Sequence, residues 1–149
     1  MTRTALALAL LAFALCGCEP LRGVVSQKDV GTAVDTKCID KTLRQAFGKV
    51  ERWDYVADGN TFPNGTSVAQ FAYYNWNSAG WVTLDVGRVN GKTRVSHSFT
   101  GIGPELPQQS FPPAIRAMQK AGEVLRMACN LDLSSMKLRA VGQSVEALN

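Results

Sequence analysis

The dipeptide Asn90-Gly91 constrains this chain more than any other feature in it. Both residue types tolerate positive φ, so between two alternating segments they specify a two-residue type I′ hairpin. The turn predicts strands over 81–89 and 92–100, with Val89 opposite Lys92. Counting back, Val86 faces Val95, Leu84 faces His97 and Val82 faces Phe99, which gathers the apolar residues on one side. A strand over 68–76 precedes them through Asn77-Ser78-Ala79-Gly80, which would pair Trp76 with Trp81, Tyr73 with Leu84 and Phe71 with Val86. The aromatic segment 52–57, followed by a polar loop over 58–66, supplies a fourth strand. The opposite side of this sheet would carry Gln70, Tyr74, Trp76, Trp81, Thr83, Asp85, Arg94, Ser96 and Ser98.

Two helices bracket the strands. Asp35 suits an N-cap, and Val34 with Ile39 fits a hydrophobic staple across it. Ile39, Leu43, Ala46, Phe47 and Val50 then recur at helical spacing, until Gly48 weakens the last turn near Lys49. The second helix opens with Pro112 and Pro113, tolerated in a first turn whose N–H groups lack partners anyway. Its apolar stripe is Ile115, Met118, Ala121, Gly122, Leu125 and Cys129. Over 131–149 two patterns compete: Met136, Leu138 and Ala140 alternate, whereas Leu138, Val141, Val145 and Leu148 have helical spacing.

The N-terminal end follows other rules. Arg3 precedes an apolar run over 5–15, and small residues follow before Glu19. This is the layout of a secretory signal, too short to span a bilayer as a helix of about 20 residues. Leu15-Cys16-Gly17-Cys18 resembles the lipobox of bacterial lipoproteins, with Leu at −3, a small residue at −1 and then the cysteine that receives lipid. The resemblance implies removal of 1–17 and a diacylglyceryl group on Cys18, usually joined by a third, palmitate-like chain on its new amino group. Two or more chains anchor stably where one does not. Glu19 in place of Asp after the cysteine implies the outer membrane, on its periplasmic side, with the inner membrane as the alternative. Residues 18–33 would then form a lipidated tether and 34–149 a single domain.

Lipidation of Cys18 leaves Cys38 and Cys129, which in an oxidising compartment most simply pair with each other. Two inert buried thiols are the alternative. A bond between the start of the first helix and the end of the second requires the helices to run antiparallel. The expected fold is α+β: a two-layer sandwich with two antiparallel helices on one face of a four-stranded antiparallel sheet, in the order α-β-β-β-β-α.

Losing Arg3 lowers the net charge from +4 to +3, far from the concentrated basic face that nucleic acid demands. The one histidine, His97, points inward opposite Leu84, and with two distant cysteines it makes no tetrahedral metal set. Gly101-Ile102-Gly103 runs into Pro104 and completes no dinucleotide motif, so no cofactor is expected. Asp85 and Glu105 are the nearest approach to a glycosidase carboxylate pair, though Asp85 sits diagonal to Arg94 and would pair with it. The remaining candidate is a binding face of Tyr74, Trp76, Trp81, Thr83, Asp85 and Arg94, unless Trp76 and Trp81 merely close their hairpin. The expectation is a non-enzymatic lipoprotein that binds another envelope protein, as an inhibitor or immunity protein would. An assembly accessory of an envelope complex and a cell-wall glycan hydrolase are the competing classes.

In Cys18→Ala, labelled palmitate should no longer enter the protein. Replacing 1–17 by a secretory signal that lacks the lipobox should leave a soluble periplasmic chain, as read by fractionation and blotting.

Overall fold

The computed structural model of the protein describes residues 21–31, 33–54 and 61–149. The signal segment, Cys18 and the outer half of the expected strand 52–57 lie outside these residues. The described residues form an α+β fold with two helices and a six-stranded antiparallel sheet. In chain order the elements are β1 (Leu21–Val30), α1 (Thr36–Phe47), β2 (Glu51–Asp54), β3 (Gly65–Trp76), β4 (Gly80–Val89), β5 (Lys92–Ile102), α2 (Phe111–Cys129) and β6 (Arg139–Val141). Across the sheet they stand β2-β3-β4-β5-β1-β6.

The Asn90-Gly91 turn is as expected, with φ of 51° and 76°, and Val89 pairs with Lys92. Leu84 therefore faces His97, Val86 faces Val95 and Val82 faces Phe99. Asp35 caps α1 by accepting from the backbone N–H groups of Lys37 and Cys38, and Gly48 ends it at φ 81°. Pro112 and Pro113 sit in the first turn of α2. Phe71, Val82, Leu84, Val86, Val95, Phe99 and Val24 join Ile39, Leu43, Phe111, Ala121 and Leu125 in one buried core.

Three expectations need correction. First, 21–30 is a strand and not a tether. All ten residues of β1 pair with β5, from Leu21 opposite Ile102 to Val30 opposite Thr93. The open edge of β5 supplies backbone partners that no residue pattern in 21–30 announces. Second, the turn before β4 holds three residues, closed by the Ala79 N–H donating to the Trp76 carbonyl at 2.8 Å, with Asn77 and Ser78 both at positive φ. Trp76 thus pairs with Gly80, and Asn75 with Trp81. Phe71 meets Leu84 in place of Val86, because the shorter turn shifts the register by one residue and an irregularity between Ala72 and Tyr74 shifts it by another, a further irregularity lying between Ser67 and Ala69. Third, the sheet has six strands in place of the expected four, with β1 and β6 added beyond β5. The region 131–149, where two patterns compete in the sequence, follows neither at length. It is largely irregular, contributing short β6 on the outside of β1 and burying Leu131, Leu133 and Val145.

Cys38 and Cys129 form a disulfide that joins the first turn of α1 to the last residue of α2. Further along, Lys120 of α2 donates to the Ala46 carbonyl at 2.9 Å and lies 4.9 Å from the Phe47 ring centre, so the helices run antiparallel. The bond spans 91 residues of chain, for which the chain-entropy account gives about 4 to 5 kcal/mol. Non-reducing peptide mapping should recover a linked Cys38–Cys129 fragment, and Cys38→Ala with Cys129→Ala should lower the urea-unfolding free energy by a few kcal/mol.

Candidate functional site

The face of the sheet away from the helices is built from polar rows. Trp53, Gln70, Asp85, Ser96 and Gln27 stand side by side across five strands, and Ala72, Thr83, Ser98 and Val25 form the next row. Asp85 is buried and accepts hydrogen bonds from the Gln70 amide and, at 3.1 Å, from the Thr83 hydroxyl. Thr83 and Ser98 hydroxyls meet at 3.0 Å. The face is not open along its length. Phe62 is buried against Gly87, where a Cβ would lie 2.5 Å from its ring, and Gln27 donates to the Thr61 carbonyl.

Of the expected binding face, Trp81 and Thr83 stay on this side and line a shallow concavity of about 540 Å³ with Trp53, Ala72, Thr100 and Ile102. Tyr74 and Trp76 do not. The irregularity between Ala72 and Tyr74 adds a residue to β3 and inverts the alternation beyond it, so Tyr74 pairs with inward Val82, and both side chains pack half-buried against the core. Arg94 is spent elsewhere: its guanidinium binds the Asp29 carboxylate with contacts of 2.6 and 3.2 Å, not Asp85. That pairing holds Asp29 below the ordinary carboxylate range. β1 placed Asp29 directly opposite Arg94, which a tether would not have done. The carboxylates of Asp85 and Glu105 are not brought together. Asp85 pairs with Ser96, six residues along β5 from its end, about 20 Å at strand spacing. Glu105 lies beyond that end, exposed, 3.7 Å from Arg22. The glycosidase arrangement needs about 5 to 10 Å between the carboxyls.

A second concavity lies on the helix side, under the segment 133–138. It holds about 400 Å³, walled by Ile115, Met118 and Gly122 of α2 and by Leu133, Met136 and Leu138, with Ser26 and His97 at its floor and Gln119, Glu123 and Arg126 at its rim. At liquid density that volume is about a dozen non-hydrogen atoms. The α2 residues were legible as an apolar stripe, but a stripe alone does not distinguish core from cleft wall. Ser26 and the irregular segment carry no sequence signal for the site.

His97 is buried, and burial pushes its pKa down to about 3, so its ring is neutral. Burial pushes the Tyr73 hydroxyl up, and it shares a hydrogen bond with His97 Nε2. The pair is a bond between neutral groups, of which His97 lines the cleft floor. A base of pKa about 3 is poorly matched to proton abstraction near neutral pH. Among the described residues, no three His, Cys, Asp or Glu side chains gather as a metal set. Comparison with known proteins finds no matching family model, no similar curated protein and no matching solved structure.

His97 makes stability depend on pH with a definite sign. The unfolded ring binds a proton near pH 6.5 and the folded ring only near 3, so the unfolded chain holds more protons between these values. Stability should therefore fall as pH drops from 6.5 toward 3, by up to about 1.4 kcal/mol per pH unit. Urea titrations at pH 7, 5.5 and 4.5 should show this loss in the native chain and a shallower one in His97→Gln.

Proposed function

We propose that this protein is a lipid-anchored, periplasm-facing binding protein of the bacterial envelope, without catalytic activity of its own, whose partner is another envelope protein. The observation that carries the reading is the cleft over His97. Its walls are apolar, its floor is polar but uncharged, and its volume suits one large apolar side chain of a partner. An anchor residue entering such a desolvated pocket, ringed by Gln119, Glu123 and Arg126, is the usual form of an interface hot spot. An inhibitor or immunity protein would use it to hold its target, and an assembly accessory would use it to hold a neighbouring subunit. The lipobox-like segment at Cys18 supports the membrane location.

Gly122 offers a direct test. A Cβ there meets only Leu133, at 3.8 Å, so Gly122→Ala should fold and gain a few tenths to about 1 kcal/mol from helix propensity. Gly122→Leu fills the cleft while leaving the helix intact. The purified lipoprotein in detergent, immobilised and exposed to envelope extract, should retain a specific partner as native and Gly122→Ala chains and lose it as Gly122→Leu. Retention by Gly122→Leu at native level, with its melting temperature unchanged, removes the cleft as the site.

A further inference from the structure

The strand that replaces the expected tether has a geometric consequence. β1 begins at Leu21, and Leu21 is three residues after Cys18. Three trans peptide units span at most about 11 Å between Cα atoms. If Cys18 carries lipid, as proposed above, then Leu21 and everything paired to it lie at the headgroup layer. No slack in the chain permits the domain to stand off.

The surface at that end is apolar. Leu21 is directly opposite Ile102, and one row inward on the same face Trp81 is opposite Thr100. Ile102 is 70% exposed, Leu21 51% and Trp81 40%, the cluster forming one wall of the concavity on the outer face. These exposed side chains stand at the end where the covalent reach argument puts the bilayer. Tryptophan beside aliphatic side chains is the composition that favours the membrane–water boundary. Charge plays little part, because Arg22, the cation beside the cluster, donates to the Gly103 carbonyl and stands 3.7 Å from Glu105.

We propose that the end of the sheet formed by Leu21, Ile102 and Trp81 is seated on the bilayer that holds Cys18, the occupant of this apolar surface being lipid. This proposal rests on the lipobox reading. The seated end orients the molecule. β5 spans about 30 Å from Ile102 to Lys92, so the Asn90-Gly91 hairpin and the Arg94–Asp29 pair project away from the membrane. The cleft over His97, on the opposite face of the sheet, remains free for a partner.

The test uses the processed, lipidated full chain, purified from membranes and reconstituted into phosphatidylethanolamine–phosphatidylglycerol vesicles. Ile102→Cys and Lys92→Cys variants each carry an environment-sensitive nitrobenzoxadiazole label. Mass spectrometry first establishes whether Cys18 bears lipid. On vesicles, the label at 102 should shift to the blue and lose intensity to brominated acyl chains, while the label at 92 stays water-like. Because the contact is apolar, the signal at 102 should persist in high salt. A lipidated, vesicle-bound protein whose label at 102 remains water-like overturns the docking and leaves the anchor standing, and it hands the surface to a protein partner. Absence of lipid on Cys18 overturns the anchor, and the docking with it. In a separate arm, Trp81→Ser with Leu21→Ser should keep the far-ultraviolet spectrum and the lipid but lose the blue shift at 102. Loss of the spectrum itself would assign those residues to folding and refute a surface role.

Discussion

The antiparallel pairing of β1 with β5 is the contact on which the rest of the molecule depends. It puts the N-terminal end of the described chain inside the sheet, between β5 and β6, with all ten residues in register. That placement gives Arg94 its partner in Asp29, brings Ser26 beside His97 at the floor of the cleft, and provides the edge on which β6 pairs. Lys28 reaches across to the Asp132 carbonyl at 3.1 Å and helps hold the C-terminal segment over the cleft. A chain that lost this pairing would lose the cleft and the outer edge together, and with them the geometry on which the proposed membrane orientation rests.

The disulfide acts on the opposite side of the core. It closes the two helices at one end, while Lys120 on the Ala46 carbonyl and the Phe47 ring ties them further along. Between them Phe47 packs on Tyr73 at 4.6 Å, and Tyr73 in turn holds His97. The position of one neutral histidine thus depends on helix docking as much as on its own strand. Burial without a charged partner explains both its depressed pKa and its poor suitability as a base.

How much was legible depended on whether the cause was local. Asn90-Gly91 and Asp35 act through their own backbone and nearest neighbours, and both were readable from the residues alone. The extra residue in β3 near Tyr73 was not. Nothing in Ala72-Tyr73-Tyr74 distinguishes regular from irregular pairing, yet the inversion carried Tyr74 and Trp76 to the core side and removed two of the six residues of the expected binding face. β1 was invisible for a different reason. Its inward row is Arg22, Val24, Ser26, Lys28 and Val30, too mixed to show alternation, and only the waiting edge of β5 makes it a strand.

The sequence by itself determined the central hairpin, the Asp35 cap of the first helix, the apolar stripes of both helices and the inward side of His97, and it favoured the pairing of Cys38 with Cys129 that the structure contains. It also supplied the lipobox-like segment on which the proposed location rests. Only the tertiary structure decided that the presumed tether is an interior strand, that Arg94 answers to Asp29, and that the Trp76 and Trp81 side chains part to opposite faces. The physical reason is the range of the interactions. Turn dihedrals and caps are settled within a few residues, whereas an unpaired strand edge recruits whatever segment can reach it, and one added residue reverses every side chain beyond it.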